Sequence, residues 1–408
     1  MADAMEYPEN VALSGRVKIL LAICACVVLS MSTWFSTAAV VPQLRADWMI
    51  TDTSAAWLTI AVQIGFVFGA GLIAVTGLAD RIMPRRLMAI AAVGAALANL
   101  ALVGVASVGP AIVLRFLTGL FMAGIYPPAL KLVATWYISG RGVAMGAVIG
   151  ALTFGSAFPH LLNIGHGIPW RSVIVATSFA TLAGCIGIAL LIRNGPYPFP
   201  QVPFERGRIC EALTNRVFLL ASAGYLGHMW ELYAAWSWML ILVRERLGDA
   251  VTSEHFAALL TFAIIAAGAP ACVAAGYFAD RFGRIRTTIA LMTASGLSAV
   301  AIGLTYFAPF WVFLLVALIW GATIVGDSAQ FSAIVTESGN RHFVGTALTM
   351  QLGAGFALTA VTIWLVPIAA KVIGWQWTTL CLVPGPALGI LAMLRLRRVQ
   401  GAAQLATN

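Results

Sequence analysis

The residues best suited to carry chemistry are ionisable side chains inside long apolar stretches. Glu231 lies in "YLGHMWELYAAWSWM" with His228 three residues before it, and Asp327 lies in "IVGDSAQFSAIV". An ionisable group in the middle of a bilayer costs about 2.5–3.5 kcal/mol, so it faces a partner or an aqueous cavity. A carboxyl group one helical turn from an imidazole can accept and pass a proton. We therefore predict that all three couple protons; the alternative is that they are hydrogen-bonded groups that only lock the fold.

Arg115 is the basic residue that lies deepest in an apolar stretch. It either binds an anion or takes part in proton coupling, or it neutralises a buried acid. Other polar and aromatic side chains at similar depth are candidate contacts for a planar or amphipathic solute. The predicted substrate-binding residues are Trp34, Gln63, Arg115, Tyr126, Tyr225, Trp230 and Gln330.

The composition requires that these residues belong to a membrane protein. The chain is 61% hydrophobic and 10% charged, whereas a soluble domain has about 25% charged residues. A soluble fold cannot hide that much apolar surface, and the mean hydropathy is +0.93. The net charge of +9 then reflects cytoplasmic loops, so no nucleic-acid partner is predicted. The six cysteines lack the paired spacing of a metal site, and no cofactor is predicted.

Twelve stretches are long enough to span a membrane, which needs about 20 apolar residues each. The first six lie near 17–41, 54–78, 87–108, 110–135, 142–164 and 171–193, and the second six near 215–243, 255–279, 287–307, 309–335, 343–370 and 374–395. The predicted fold class is an all-α polytopic membrane protein with twelve transmembrane helices in two six-helix bundles. We expect a first bundle at 1–193, a cytoplasmic linker at 194–214 and a second bundle at 215–408.

The distribution of Lys and Arg predicts the orientation of these helices. With the N-terminus in the cytoplasm, eighteen of the 24 basic residues fall on the cytoplasmic side and five on the other. Cytoplasmic loops of membrane proteins carry such an excess. Both termini are therefore predicted to be cytoplasmic, in a cell inner (plasma) membrane.

The two halves repeat a basic phrase at an offset of 200 residues. "VTGLADRIMPRR" and "AAGYFADRFGRIR" share Ala-Asp-Arg, and each lies between the second and third helices of its half. Two copies of a six-helix unit can rock about a central cavity, which is alternating access. The alternative is that both phrases are only signals for topology. The same offset pairs Asp327 with Pro127, and Pro127-Pro128 should break helix four.

These phrases resemble the loop G-x-L-A-D-R-x-G-R-[KR]-x of the major facilitator superfamily, and the resemblance extends over essentially the whole chain. The second copy matches best, whereas the first has Met83 in place of the second glycine. In that family the loop Asp and Arg brace the cytoplasmic ends of neighbouring helices. The resemblance thus implies a gating role for Asp80, Arg81, Asp280, Arg281 and Arg284.

Helix four carries a second resemblance to the family. "RFLTGLFMAG" has the spacing R-x-x-x-G-x-x-x-[AG], with Arg115 at its first position. In many proton-coupled members this arginine lies in the cavity wall. The resemblance therefore implies a coupling role for Arg115.

The function predicted from these features is proton-coupled secondary transport of a small organic solute. One deep cation and two acids suit a monoanionic, zwitterionic or neutral solute, and we favour uptake over efflux. The alternatives are proton-driven efflux of amphipathic or cationic compounds and, more remotely, a non-transporting membrane sensor or scaffold. No clustered catalytic set indicates an enzyme. The expected partners are a small-molecule substrate, protons and the lipid bilayer, with a monomer as the expected state.

Overall fold

The computed structural model describes residues 13–137, 140–164, 168–197, 207, 209–248, 251–338 and 344–407. Helices and short turns make up this part of the chain, and it contains no strand. Nine helical segments of the described chain are long and apolar enough to cross a membrane. One of them, Gly345–Gly401, contains two spans that meet at Gly374, where φ is 74°. With Leu13–Met31 and Arg216–Leu247, these segments confirm the twelve predicted transmembrane helices.

The first bundle contains nine α-helices. They are α1 (Leu13–Met31), α2 (Val41–Trp48), α3 (Asp52–Thr76), α4 (Leu78–Arg81), α5 (Pro84–Leu100), α6 (Val108–Met122), α7 (Tyr126–Ala134), α8 (Arg141–Leu162) and α9 (Trp170–Leu191). Spans one to six are α1, α3, α5, α6 with α7, α8, and α9. The short α4 lies in the loop between spans two and three.

The remaining helices form the second bundle, which α10 precedes. They are α10 (Ile209–Thr214), α11 (Arg216–Leu247), α12 (Val251–Ala266), α13 (Gly268–Phe282), α14 (Arg284–Thr305), α15 (Phe310–Gly326), α16 (Ser328–Ser338), α17 (Val344–Trp377) and α18 (Pro384–Thr407). Spans seven to ten are α11, α12 with α13, α14, and α15 with α16. Span eleven is α17 up to Gly374, and span twelve continues from there through α18.

Several spans are interrupted near the centre of the fold. Span four breaks between Met122 and Tyr126, which confirms the predicted effect of Pro127 and Pro128. A proline in the first helical turn lacks an N–H that would have no partner there anyway. Span ten breaks at Asp327, the position that the 200-residue offset pairs with Pro127. The two halves therefore place their breaks within about one helical turn of equivalent positions.

Span one is not the continuous helix predicted at 17–41. The α-helix ends at Met31, and residues 32–37 form turns before a short 3-10 segment at Ala38–Val40. No glycine or proline marks this break in the sequence. It is stabilised instead by a side chain from span four, described below.

Close helix packing joins the two bundles along α8 and α13. Gly142, Gly146 and Gly150 lie one turn apart on α8. A Cβ on Gly150 would lie only 2.6 Å from the backbone oxygen of Ala269, and one on Gly146 would overlap the backbone oxygen of Cys272. Small residues of this kind allow helix backbones to touch. This contact closes the cytoplasmic half of the seam between the bundles.

Six aromatic rings close the seam between the bundles at the midplane of the spans and on the side away from the cytoplasm. We call them the aromatic lid: Trp34, Phe35 and Phe66 from the first bundle, and Tyr233, Trp236 and Phe356 from the second. The ring centroids of Phe66 and Phe356 are 4.3 Å apart, and those of Trp34 and Tyr233 are 5.7 Å apart. Because Trp34 and Phe35 belong to the broken part of span one, the position of that break determines where the lid forms.

Candidate functional site

A small cavity of about 40 Å³ lies between the two bundles, beside Tyr233 and Phe356 of the aromatic lid. Both bundles contribute to its wall. One ordered water needs about 10–15 Å³, so the cavity has room for a few waters and not for an organic solute. The structure is therefore an occluded form. The polar and aromatic side chains of the wall are Tyr126, Tyr225, Tyr233, Ser328, Ser332 and Phe356.

The lining residues combine hydroxyl groups with apolar surface. Tyr225, Met229 and Tyr233 lie one turn apart on α11, so one face of that helix lines the cavity. Tyr126 reaches it from the start of α7, directly after the break in span four. No lining residue carries a full charge. Such a wall suits a flat apolar body that bears groups able to hydrogen-bond.

A buried acid–imidazole pair lies directly behind this wall. His228 Nδ1 is 2.9 Å from Asp327 Oδ1, and both side chains are 2% exposed. His228 Nε2 is 2.7 Å from Ser328 Oγ. Ser328 is the first residue of α16, directly after the break in span ten, and this residue both contacts His228 through its hydroxyl and belongs to the cavity wall. The structure thus brings together His228 and Asp327, which are 99 residues apart in the sequence.

Glu231 faces the interior of the second bundle and does not line the cavity. Ser295 Oγ donates to its Oε2 and Trp320 Nε1 donates to its Oε1, each at 2.6 Å. The side chain is almost completely buried. Glu231 is nevertheless close enough to Asp327 and His228 to interact with both electrostatically. Three titratable groups therefore share one buried region of the second bundle.

Arg115 is fully buried and points to span one, where it satisfies backbone carbonyls freed by the break. Its guanidinium donates to Thr33 O at 2.9 Å and also to Trp34 O. Within the part of the chain that the structure describes, no carboxylate pairs with it. Its remaining hydrogen-bond acceptors are Leu58 O, Ser36 Oγ and Asn99 Oδ1.

Three predicted substrate contacts lie outside the cavity wall. Trp230 Nε1 donates to Cys381 O at 3.0 Å inside the second bundle. Gln330 accepts a hydrogen bond from Arg284 at 2.9 Å. Gln63 is fully buried, and its amide has no hydrogen-bond partner among the described residues. Of the other predicted contacts, Tyr126 and Tyr225 line the cavity and Trp34 is part of the lid.

The last turn of α13, Gly283 and the first residue of α14, which we call the cytoplasmic loop of the second bundle, hold the cytoplasmic end of span ten. Arg284 Nε donates to both carboxylate oxygens of Glu337, at 2.8 and 2.9 Å, and Nη2 donates to Oε1 at 2.6 Å. This is the planar two-point contact that a guanidinium forms best. Arg281 in the same loop is exposed and donates to Tyr277 at 3.2 Å.

Asp280 connects this loop to the first bundle. Its carboxylate packs on Gly142 in the first turn of α8, where a Cβ would overlap it. A negative charge is favourable at a helix N-terminus. In the first copy of the loop, Arg81 is exposed, and the side chain of Asp80 lies outside the described residues.

Sequence reasoning missed Ser328, Tyr233 and Phe356 as wall residues and Glu337 as the partner of Arg284. Tyr233 follows Tyr225 by eight residues, which is close to two helical turns, so helical spacing was a usable signal. No such sequence signal marks Ser328, because its importance depends on a helix break and on contact with a histidine 100 residues earlier.

The described residues form two six-helix bundles with a small cavity between them. The chain belongs to the Major Facilitator Superfamily, whose family model matches residues 23–350. Members of this family are transporters and not enzymes.

Comparison with curated proteins gives three informative relatives. The chain is 26% identical over 260 residues to the Fujikurins efflux protein of Gibberella fujikuroi, a match covering 62% of this chain and 54% of that protein. It is 31% identical over 159 residues to a puromycin resistance protein of Streptomyces alboniger, covering 38% and 31%. It is 25% identical over 194 residues to a gallate transporter of Pseudomonas putida, covering 44% and 41%. The matches thus span about half the length of these relatives or less.

Among solved structures, the fold is similar to the crystal structure of a D-xylose-proton symporter. The TM-score is 0.72 with 16% sequence identity, and the alignment covers 93% of this chain and 97% of that one. At this level of identity the likeness supports the fold alone.

Proposed function

We propose that the protein is a proton-coupled secondary transporter of a small organic solute with a planar or aromatic body. The solute is monoanionic, zwitterionic or neutral, and it moves by alternating access between the two bundles. One observation carries this proposal: the buried His228–Asp327 pair contacts Ser328, which is part of the cavity wall. A proton on this pair is one hydrogen bond away from the space that a solute would occupy.

Coupling follows from the cost of an unbalanced buried charge. With a proton on His228, the imidazolium and the Asp327 carboxylate form a neutral pair. Without it, a carboxylate remains in a site of low polarity beside a neutral ring, which is unfavourable. The occluded form therefore retains the proton until the cavity opens to water. Glu231 is a further coupling group, and its two short hydrogen bonds make it a weaker candidate than the pair.

For the direction of transport we favour uptake across the inner membrane by a monomer. The wall has no fixed cation to hold an anion by itself, so a solute and a proton together complete the site. The gallate transporter among the relatives moves an aromatic acid by name.

Efflux of amphipathic compounds is the second candidate. Two of the curated relatives are named for efflux and for antibiotic resistance. In efflux the proton and the solute would move in opposite directions, which a proton-flux measurement detects.

Gating in this proposal depends on the cytoplasmic loop of the second bundle. Asp280 rests on the first turn of α8, and Arg284 holds Glu337 of span ten. Opening to the cytoplasm would separate Asp280 from Gly142. Arg281 is exposed and would contribute less. The corresponding Asp80 and Arg81 would act in the first copy. We assign residues 1–193 and 215–408 to the two moving bundles and 194–214 to the linker.

The test uses the full-length protein in liposomes that contain a trapped pH-sensitive dye. A panel of neutral, zwitterionic, anionic and cationic organic solutes is added outside, or loaded inside, without an initial pH gradient. Symport of an added solute acidifies the lumen, whereas exchange of an added solute for internal protons makes it alkaline. Protein-free liposomes and His228→Gln serve as controls. If no solute moves protons beyond the protein-free control, the proposed function is wrong.

A further inference from the structure

We propose that Ser328 transmits the protonation state of His228 to the solute, and that the solute is an aromatic carboxylate. This inference rests on the proposed function and names its substrate class. It starts from one residue, Ser328, which is part of the cavity wall and whose Oγ lies 2.7 Å from His228 Nε2.

When His228 is neutral, Ser328 can act only as a hydrogen-bond acceptor toward the cavity. A neutral imidazole carries one N–H. The negative charge of Asp327, whose Oδ1 lies 2.9 Å from Nδ1 without an aligned hydrogen bond, favours that hydrogen on Nδ1 electrostatically. Nε2 then has a lone pair and accepts the hydroxyl hydrogen of Ser328. A serine has only one such hydrogen. In this form the hydroxyl presents only lone pairs to the cavity.

The protonated form reverses this polarity. Both ring nitrogens of an imidazolium are donors, so Nε2–H donates to Ser328 Oγ. The hydroxyl hydrogen is released and can point into the cavity. One proton added at Nε2 thus changes Ser328 from a hydrogen-bond acceptor to a hydrogen-bond donor toward the cavity, without moving any heavy atom. Removal of the proton restores the acceptor.

A carboxylate is the group that distinguishes these two forms most strongly. An ionised carboxylate can only accept hydrogen bonds, so it is repelled by the acceptor form of Ser328 and bound by the donor form. The hydroxyls of Tyr126, Tyr225 and Tyr233 provide further donors in the same wall. The ring of Phe356 and the side chain of Met229 suit a flat apolar body. The lining has no Lys or Arg, and the proton neutralises the His228–Asp327 pair, so the anion no longer faces an unbalanced carboxylate behind the wall.

Other titratable groups surround His228, and none of them combines both contacts. Glu231, on the same helix, accepts from Ser295 and Trp320, which leaves it directed away from the cavity. The ring of Tyr225 is centred 6.3 Å from the imidazole. Within the described residues, Ser328 is the group that both contacts a His228 nitrogen and lines the cavity. The other titratable groups of this region are Glu231 and Tyr225, with Tyr126 next to Tyr225 and Cys272 next to Asp327.

The test compares two probes that differ in one group, 4-hydroxybenzoate and 4-hydroxybenzamide. Their binding to the purified full-length protein is measured near pH 5.5 and near pH 7.5, where the carboxylate stays ionised. The donor form of Ser328 requires the proton on His228, so a lower pH favours binding of the carboxylate. We expect the benzoate to bind severalfold more tightly at the lower pH, and the affinity of the benzamide to change by less than about twofold.

Three variants separate this role from a structural one. Ser328→Ala should lose the pH dependence of benzoate binding. Ser328→Thr, which keeps a hydroxyl, should retain it. Ser332→Ala is the matched control, because Ser332 also lines the cavity and should leave the pH dependence unchanged.

Several results would overturn the inference. It fails if the benzamide shows the same pH dependence as the benzoate, or if Ser328→Ala keeps the wild-type pH dependence. If neither probe binds while another solute moves protons in the liposome assay, the carboxylate class is wrong and the proposed function stands. If no solute moves protons, both proposals fail together.

Discussion

The Nδ1 atom of His228 lies 2.9 Å from Oδ1 of Asp327, and both side chains are 2% exposed. The two residues come from spans seven and ten, and the contact depends on the break that ends α15 just before Asp327. Removing one partner of a buried ion pair lowers the stability of the fold more than replacing both partners, because the remaining group stays buried without compensation.

The first prediction concerns Asp327→Asn. Loss of the carboxylate leaves His228 without its anionic partner, which costs about 3–5 kcal/mol for a buried pair. We expect a clearly lower thermal midpoint and loss of solute-driven proton flux. The double variant Asp327→Asn with His228→Gln should recover part of the stability and none of the flux.

The matched control for this prediction is Asp47→Asn. Asp47 also accepts a hydrogen bond, from Trp170 Nε1 at 2.7 Å, but its side chain is 48% exposed. The thermal midpoint of Asp47→Asn should stay close to that of the wild-type protein. A wild-type midpoint for Asp327→Asn would show that the pair does not stabilise the fold.

The second prediction concerns Arg115→Lys. The lysine keeps the charge but not the five-donor fork that reaches span one and its neighbours. Carbonyls in the break at residues 32–37 would lose their partner, and an unsatisfied buried group costs about 1–3 kcal/mol. We expect a lower midpoint and faster amide hydrogen exchange across residues 32–37.

Arg171→Lys is the control for Arg115→Lys, because the Arg171 side chain is 48% exposed at the outer end of span six. Its midpoint and its exchange pattern should not change measurably. Unchanged exchange at residues 32–37 in Arg115→Lys would mean that the break in span one persists without the guanidinium.

The third prediction concerns Gly146→Ala. The added methyl group would overlap the backbone oxygen of Cys272, so α8 and α13 could no longer touch. We expect the occluded form to be disfavoured and the buried thiol of Cys272 to react faster with a maleimide. Peptide-level mass spectrometry separates this thiol from the exposed Cys210.

Gly71→Ala is a suitable control for this clash, since a Cβ at Gly71 meets no atom within 4 Å. Labelling of Cys272 should then match wild type. Equal labelling rates in Gly146→Ala and wild type would show that the glycine contact does not hold the cytoplasmic side closed.

The fourth prediction concerns the cytoplasmic loop. Arg284→Lys replaces the two-point contact with Glu337 by a single contact at most, and Glu337 is 56% exposed. Exposed pairs contribute at most about 1 kcal/mol to stability, so the thermal midpoint should move little. Labelling of Cys272 should nevertheless rise, because span ten is released at its cytoplasmic end.

Arg281→Lys in the same loop provides the comparison, as Arg281 contacts only Tyr277 and the ring of Phe282 in the described structure. We expect no change in labelling for this variant. If both variants raise labelling equally, the effect comes from replacing either arginine in this loop and not from the contact of Arg284 with Glu337.

Much of the fold could be predicted because membrane insertion is a local property. The number of spans and the break at Pro127-Pro128 depend on residues close together in the sequence, and both are confirmed. The break in span one could not be predicted in the same way. Residues 32–37 carry no proline or glycine, and the group that stabilises their carbonyls is Arg115, about 80 residues later.

The candidate site was predictable in residue type but not in arrangement. His228, Asp327 and Glu231 stand out because charge is rare in apolar helices. Helical spacing places His228 and Glu231 on neighbouring faces, yet the structure pairs His228 with Asp327 and directs Glu231 to Trp320. Arg115 stands out for the same reason, and its partners are carbonyls.

By itself, the sequence determined that the protein crosses a membrane twelve times, in two related halves, with unusual charges in spans four, seven and ten. These properties follow from the free energy of transferring each short segment into lipid, which does not depend on distant residues. Only the tertiary structure decided which buried polar groups meet. A buried donor or acceptor must find its partner on another helix, and which helix comes within 3 Å depends on how all twelve pack and where they break.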